Sequence, residues 1–561
     1  MSLISVLVTN AILLISPKIL KWTIDDLQES ISPRKILLYA LLIFGVAVVG
    51  GIIRFAQRKT IQSVARKTEY YLRSDFFSHL QKLSASYYSR VQTGDLMARA
   101  TSDMNAVRMM LSTSISFTLD AIVFFGFALI IMLDIDVSLT LYALLPYPVL
   151  AILIRELGTR IHKTHEKIQE AFSDMNTAVQ ENLSGVRVVK AYTLEDAQKS
   201  RFQEFNQNFV RRNRVEIRLM AFFFPIFRFL PGIGGVVLLW LGGMRVVEER
   251  ITLGDFVSFS AYLMMLIRPM IMLGFVVNSI ERGAASMKRI TRILDENPDI
   301  YDSESVNRGI QTVEGAIELK NLNFAYQDGV RVLKDINLKI EPGETVAVVG
   351  PTGCGKTTLV NLIPRIYQAD RGTIFVDGVD IQDIPIEILR SNIGFVSQEP
   401  YLFSDFLRNN IAFGDEDANE LKIKDAAHAA DLLAQIEEFP DGLDTFLGER
   451  GITISGGQRQ RTALARAILV NPRILILDDA FANVDTHTED TILERLRGVM
   501  ANRTTLIISH RISTVKAADL IVVLKDGEIV ERGTHENLLA RSGIYAGIHE
   551  RQLLQEELEG L

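Results

Sequence analysis

Residues 345–358 read Thr-Val-Ala-Val-Val and then Gly350-Pro351-Thr352-Gly353-Cys354-Gly355-Lys356-Thr357-Thr358. The valine-rich run predicts a strand buried on both faces. Gly350–Thr357, the eight residues after it, fit G-x-x-x-x-G-K-[ST] on a strand-to-helix turn. Glycines there let backbone N–H groups close around phosphate oxygens, and the helix that opens next aims its N-terminus at them. Lys356 then neutralises the β- and γ-phosphates of a nucleotide, and the Thr357 hydroxyl binds Mg²⁺. The bland alternative is a glycine-rich turn around an ordinary lysine, and the strand in front of it weighs against that. Cys354 reads as a small filler, because its neighbours in the loop serve phosphate.

Downstream, Ile474-Leu-Ile-Leu-Asp478-Asp479 is an apolar run that ends in carboxylates. A buried strand of this kind delivers Asp478 to the C-terminal edge of a sheet, where it can hold Mg²⁺ through water. Thr504–Ser509 and Leu520–Leu524 are further strand-like runs, separated by helical patterns. That alternation predicts a parallel sheet. Residues 316–561 are therefore expected to form an α/β P-loop nucleotide-binding domain. The polar, turn-rich stretch 297–315, which opens Asn297-Pro-Asp-Ile-Tyr-Asp-Ser-Glu-Ser, reads as a linker.

Upstream the chain changes character. Residues 1–296 hold six apolar stretches long enough to cross a bilayer, near 3–24, 36–56, 111–133, 137–158, 219–242 and 256–280. Any one of them could be a buried soluble helix; six in succession predict a membrane all-α domain. The first lacks the basic leader and small-residue cleavage pattern of a signal peptide. The gaps 25–35, 134–136 and 243–255 are short. Those at 57–110 and 159–218 are long, helical in pattern and rich in Lys and Arg, among them Arg58, Arg66, Lys67 and Arg73. This bias places the long gaps in the cytoplasm, with Lys18 and Lys21 in mild dissent. Six crossings then leave both termini and the nucleotide-binding domain in the cytoplasm. As out-and-back helix pairs the long gaps would project roughly 40 Å and can carry motion to the membrane.

The chain has 561 residues, 48% apolar and 23% charged, with a net charge of −7. It is too apolar to be disordered and too acidic to be built for coating nucleic acid. A single cysteine excludes an intramolecular disulfide or a multi-cysteine zinc site.

Ile454-Ser455-Gly456-Gly457-Gln458 stands just ahead of the Asp478 strand. It resembles the signature sequence of ATP-binding cassette (ABC) proteins, with Ile for the usual Leu. With Lys356 and Asp478 it makes the chain similar to ABC half-transporters of the multidrug and lipid exporter type. The resemblance covers nearly the whole chain. Thr93-Gly-Asp-Leu-Met97 and Glu181-Asn-Leu-Ser-Gly-Val-Arg-Val-Val-Lys190 look like the intracellular stretches of those exporters, and Gly448-Glu-Arg-Gly451 like the loop that faces them. The resemblance implies that Tyr326 stacks on adenine and that Gln398 senses the γ-phosphate and Mg²⁺. It implies that Asp485 closes the loop after the catalytic position and that His510 contacts the γ-phosphate. It also implies ATP and Mg²⁺ as cofactors, hydrolysis to ADP and phosphate, and a second half-transporter as partner. The Ser455 hydroxyl and the Gly456 and Gly457 N–H groups would hold that partner's γ-phosphate. The function implied is export of hydrophobic or amphipathic compounds, drugs or lipids, by alternating access across the cytoplasmic membrane of a bacterium. Nucleic acid is not an expected partner.

The chain departs from the family pattern in several places. The residue after Asp478 is normally Glu, the general base. Here it is Asp479, one methylene shorter, and a misplacement of about 1 Å at such a group can cost around 10²-fold. Ala482-Asn-Val-Asp485 stands where Ser-Ala-Leu-Asp is usual. The expectation is one half of a heterodimer whose own site is weakened while its signature completes a competent partner site. A homodimer with two slow sites is the alternative. The family's amphipathic elbow helix is not seen before the first span, and Met1 opens into apolar sequence. Asp120, Arg228 and Arg268 are charges within spans and mark a substrate path or, with equal weight, packing ion pairs. Phe222, Phe223, Met264 and Met265 suit a deformable surface for apolar ligands, although such residues more often face lipid or pack. An ATP-gated channel and an importer of a metal chelate are the alternative functions.

Overall fold

Helices dominate the first half of the computed structural model, which describes residues 2–29, 32–326, 329–482 and 486–559. They include α1 (Ser2–Glu29), α2 (Pro33–Leu80), α3 (Ile115–Ile135), α4 (Pro146–Ser184), α5 (Glu195–Val237), α6 (Leu253–Met265) and α7 (Ile267–Leu294). Among the described residues five helical segments are long and apolar enough to cross a membrane: Ser5–Gln28, Pro33–Leu80, Thr93–Ile135, Val137–Ser184 and Phe229–Val247. Leu253–Met265 is apolar but shorter. The stretch expected as a sixth span, 256–280, is divided between α6 and α7, and several of its side chains lie outside the described residues.

Two tyrosines tie this bundle together. Tyr147 donates its hydroxyl to the Leu263 carbonyl at 3.0 Å, and Tyr262 donates to that of Leu14 at 2.9 Å. In an apolar interior a hydroxyl left without a partner costs roughly 2–7 kcal/mol. At the short gap 134–136, Asp136 accepts the Leu139 N–H at 2.8 Å, capping the next helix, and pairs with Arg245.

The chain folds as two units, Met1–Gln81 with Gln92–Glu296, and Lys82–Val91 with Asn297–Leu561. Residues 82–91 thus belong with the second unit. The Ser84 and Ser86 hydroxyls both donate to one oxygen of Asp299, at 2.9 and 2.7 Å.

The second unit contains β1 (Ile317–Ala325), β2 (Arg331–Ile340), β3 (Thr345–Val349), β4 (Ile374–Val376), β5 (Val379–Asp380), β6 (Ile393–Val396), β7 (Ile474–Asp478), β8 (Thr504–Ile508), β9 (Leu520–Lys525) and β10 (Glu528–Gly533). One sheet, ordered β2-β1-β4-β5, is antiparallel. The other, β10-β9-β3-β8-β7-β6, is parallel except where β10 meets β9. All residues of β3, β7 and β8 are buried, as strands covered on both faces must be. Side chains alternate between two cores with the period of two. Ile474 and Ile476 of β7 join Val346, Val348 and, from the antiparallel sheet, Leu319 and Ile336. Leu475 and Leu477 point the other way, against the helical segment that separates β6 from β7. The stretch 297–315 has no helix or strand, yet it is held on this unit. Val313 enters the first core, and the Asn307 N–H donates to the Asp383 carbonyl at 2.8 Å.

Candidate active site

Four neighbouring parallel strands, β3, β8, β7 and β6, end at one edge of the large sheet. Their C-terminal ends deliver Gly350, His510, Asp478 with Asp479, and Gln398 to that edge. Ligands of parallel sheets bind at this edge because the loops that vary leave from it. Gln398 and His510 are exposed, each two residues past its strand.

The loop after β3 needs its glycines. Gly350 has φ +153°, and a Cβ there would lie 2.1 Å from the Leu524 carbonyl oxygen. Gly355, at φ +104°, would bring a Cβ to 2.9 Å from the Leu333 side chain. The loop therefore takes a course that L side chains do not allow. It closes around Lys356, which opens α8 (Lys356–Leu362) and is 6% exposed. The Lys356 ammonium donates to the carbonyls of Gly350 at 2.9 Å and Pro351 at 3.0 Å. A lysine folded back on loop carbonyls is a cation held where phosphate oxygens can replace those carbonyls. Cys354 is buried, which pushes its thiol pKa up and suits a filler rather than a nucleophile.

Thr357 donates to Asp478 Oδ1 at 3.3 Å. Asp478 is 2% exposed, and burial raises its carboxyl above the usual range, with Asp479 adding to the rise and the Thr357 hydrogen bond and Lys356 opposing it. Asp479 turns the chain, with φ +50°, a region Asp enters more readily than most residues. Its N–H donates to the Ile508 carbonyl at 2.9 Å, and its carbonyl accepts from Gln460 at 3.4 Å. Tyr326 shares a hydrogen bond of 3.0 Å with Thr358 and packs edge-on against Tyr367, ring centres 5.2 Å apart. It therefore stands beside the phosphate-type loop. Asp485 lies outside the described residues.

Ser455 caps α9 (Gly456–Leu469) in a reciprocal box: its hydroxyl accepts the Gln458 N–H at 3.2 Å, and the Gln458 side chain accepts the Ser455 N–H at 2.9 Å. Gly456, Gly457 and Gln458 thus form the first turn of a helix whose opening N–H groups are held in register. Among the described residues the side-chain bonds of this turn join Ser455 and Gln458 to each other.

One group was not anticipated from sequence. Glu489 of α10 (Thr486–Met500) is fully buried. It pairs with Arg511 and accepts from the hydroxyls of Thr514 and Ser513, the latter at 3.2 Å. It thereby ties the helix that comes after Asp485 to the segment after His510. The signal was present: Glu489 shares a helical face with the buried Ile492 and Leu496.

In the helical unit Asp120 accepts from Asn10 at 3.2 Å and Gln57 at 3.5 Å. The side chains of Arg228 and Arg268 lie outside the described residues. Phe222 and Met264 are exposed.

Residues 1–270 match the family model described as ABC transporter transmembrane region, and 333–482 the model described as ABC transporter. An "ATP-dependent lipid A-core flippase" of Syntrophus aciditrophicus (strain SB) is 37% identical over 96% of this chain and 90% of its own length. The chain belongs to the ABC transporter family. "Multidrug resistance-like ATP-binding protein MdlA" of Escherichia coli (strain K12) is 36% identical to this ABC transporter, over 99% of the chain and 94% of MdlA. A solved bacterial Atm1-family ABC exporter with ATP bound superposes with a TM-score of 0.82 at 26% identity, covering 98% of both chains. The protein is thus an integral membrane ABC exporter: a helical transmembrane region fused to an ATPase that uses ATP with Mg²⁺ to drive transport. The residues present suit both cofactors. The Thr357 hydroxyl and Asp478 carboxylate are a hard oxygen pair of the kind Mg²⁺ takes beside nucleotide phosphates, and Lys356 supplies the cation for the phosphates.

Proposed function

We propose that this exporter is one half of a heterodimer and that its own ATP site turns over slowly. The observation that carries the proposal is Asp479 beside the Asp478–Thr357 pair, at the position where a longer carboxylate is usual in the family. In this reading ATP supplies the phosphoanhydride bond and Mg²⁺ neutralises its charge. Lys356 and the N–H groups of residues 350–358 orient the phosphates, and Tyr326 positions the base. Thr357, Gln398 and Asp478 hold the metal. Asp479 accepts a proton from the attacking water from too far back, and His510 steadies the γ-phosphate end. Asp485 closes the loop after the catalytic position. Ser455, Gly456, Gly457 and Gln458 serve the ATP of the partner subunit, and closure of the two cassettes rocks the membrane halves outward.

The cargo is hydrophobic or amphipathic, a drug or a lipid, and its path passes Asp120, Arg228 and Arg268. Two of this protein's relatives, a lipid A-core flippase and a multidrug resistance-like protein by name, support that class. The basic stretches 57–110 and 159–218 support a cytoplasmic position for the cassette (316–561) and both termini, in a bacterial inner membrane. The test is ATP turnover of the purified chain alone, with and without Asp479→Glu, beside its oligomeric state. Few stable dimers, little turnover, and a rise of about tenfold to 10²-fold with Glu are expected. A stable dimer of the unaltered chain with brisk, drug-stimulated turnover would make the protein a homodimeric pump instead.

A further inference from the structure

A cavity of about 410 Å³ opens within the helical unit, and charges of opposite sign line it. Asp120 comes from α3, Asn10 from α1, and Gln57 and Arg58 from α2. Arg54, one turn before Arg58, lies on the same wall. Thr9 donates to Gln57 Oε1 at 3.2 Å, which turns the Gln57 amide nitrogen toward Asp120. The amides of Asn10 and Gln57 both reach Oδ1 of that carboxylate. Among the described residues Oδ2 receives no hydrogen bond, and neither Asp120 nor Arg58 enters an ion pair. Asp120 is half-buried and Arg58, just past the apolar stretch 36–56, is exposed, so the cavity offers an open carboxylate oxygen and a guanidinium on one lining, and a ligand bearing both complementary charges can meet both. Phe124, Met265 and Met272 supply an adaptable apolar wall.

We propose that this cavity takes a zwitterionic amphiphile. Its anionic group lies against Arg58 and Arg54, its ammonium donates to the open oxygen of Asp120, and its chain runs along the Met and Phe wall. The volume suits a head group with a short length of chain rather than a whole two-tailed lipid. This assignment deepens the exporter reading above and rests on it.

The test titrates the full-length protein in nanodiscs, by calorimetry against empty discs, with three probes that share one dodecyl chain. They are dodecylphosphoethanolamine, methyl dodecyl phosphate and dodecylammonium. The zwitterion is expected to bind at least about tenfold more tightly than either singly charged probe. Asp120→Asn should bring it down to the level of the phosphate, Arg58→Gln to that of the ammonium, and the double variant should lose less than the product of the two. Equal binding of the three probes to the unaltered protein overturns the proposal without reliance on any variant's folding. So does a preference that survives both substitutions. If ATP-driven movement of amphiphiles in proteoliposomes persists without that preference, the ligand assignment alone falls. If the preference holds and no amphiphile moves with ATP, the exporter reading falls instead.

Discussion

Asp478 shows how one residue can be placed for its ligand against its own comfort. Its folded-state pKa is raised above the ordinary 3.8, chiefly by burial. A raised carboxyl contributes stability below its unfolded value and loses it as pH rises through the folded one. Ionising this buried carboxylate therefore opposes folding of the nucleotide-free cassette. Asp478→Asn keeps an acceptor for Thr357 and removes that charge. It should raise the melting temperature of nucleotide-free protein at neutral pH, by about 2–4 °C for each kcal/mol recovered. The gain should fade toward the ordinary carboxylate range, and stabilisation by Mg-ATP should be lost. Scanning fluorimetry across pH reads all three, and a lower neutral melting temperature for the variant would count against the argument. Lys356 could be found from sequence because strand, glycines and lysine are contiguous, and Asp478 because it ends the apolar run Ile474–Leu477. The Thr357–Asp478 contact could not, because it spans 121 residues and depends on β3 and β7 being separated by β8 alone.

Between elements, Glu489 is the counterpart of those residues. It joins α10 to the segment after His510 through one carboxylate and three side chains. Arg511 is about one-third exposed, at 34%, so loss of the pair should cost less than the 3–5 kcal/mol of a fully buried one, about 2 kcal/mol. Glu489→Gln should lower kcat of ATP hydrolysis several-fold by loosening His510, with KM for ATP little changed. A steady-state ATPase assay normalised to the number of nucleotide-binding sites, counted by titration, separates that outcome from general unfolding, which would lower the fraction of active enzyme and leave kcat per active site intact. The strands of the parallel sheet were readable, since apolar runs such as Ile474–Leu477 have few other uses. The antiparallel sheet was not. Its strand β1 shifts register at three places, and Asn321 and Asp335 of β1 and β2 take positive φ, which breaks the alternation that a strand is recognised by. Glu489 escaped for a different reason. A single glutamate in a helical pattern reads as solvated unless its face is followed to Ile492 and Leu496.

At the scale of the whole molecule, hydropathy divides the chain near residue 297, where the two units also part, but one short segment crosses that line. Residues 82–91, embedded in sequence between helices of the first unit, belong to the second. A fragment 297–561 would lack the partners of Asp299, a loss of about 1 kcal/mol or more. It should melt roughly 2–4 °C below the same fragment supplied with residues 82–91 as a linked segment. Equal melting temperatures would show that the two hydroxyls add nothing. The same arrangement bears on how such proteins can be recombined. The chain passes between its two units at 81–82 and 91–92 as well as at 296–297, so the ATPase is not a module hung on a single thread. A chimera that exchanges everything after residue 297 for a relative's sequence would keep the recipient's Ser84 and Ser86 opposite a foreign surface. A working exchange has to carry the decapeptide along with the cassette, and inheritance of the two pieces should be coupled for the same reason.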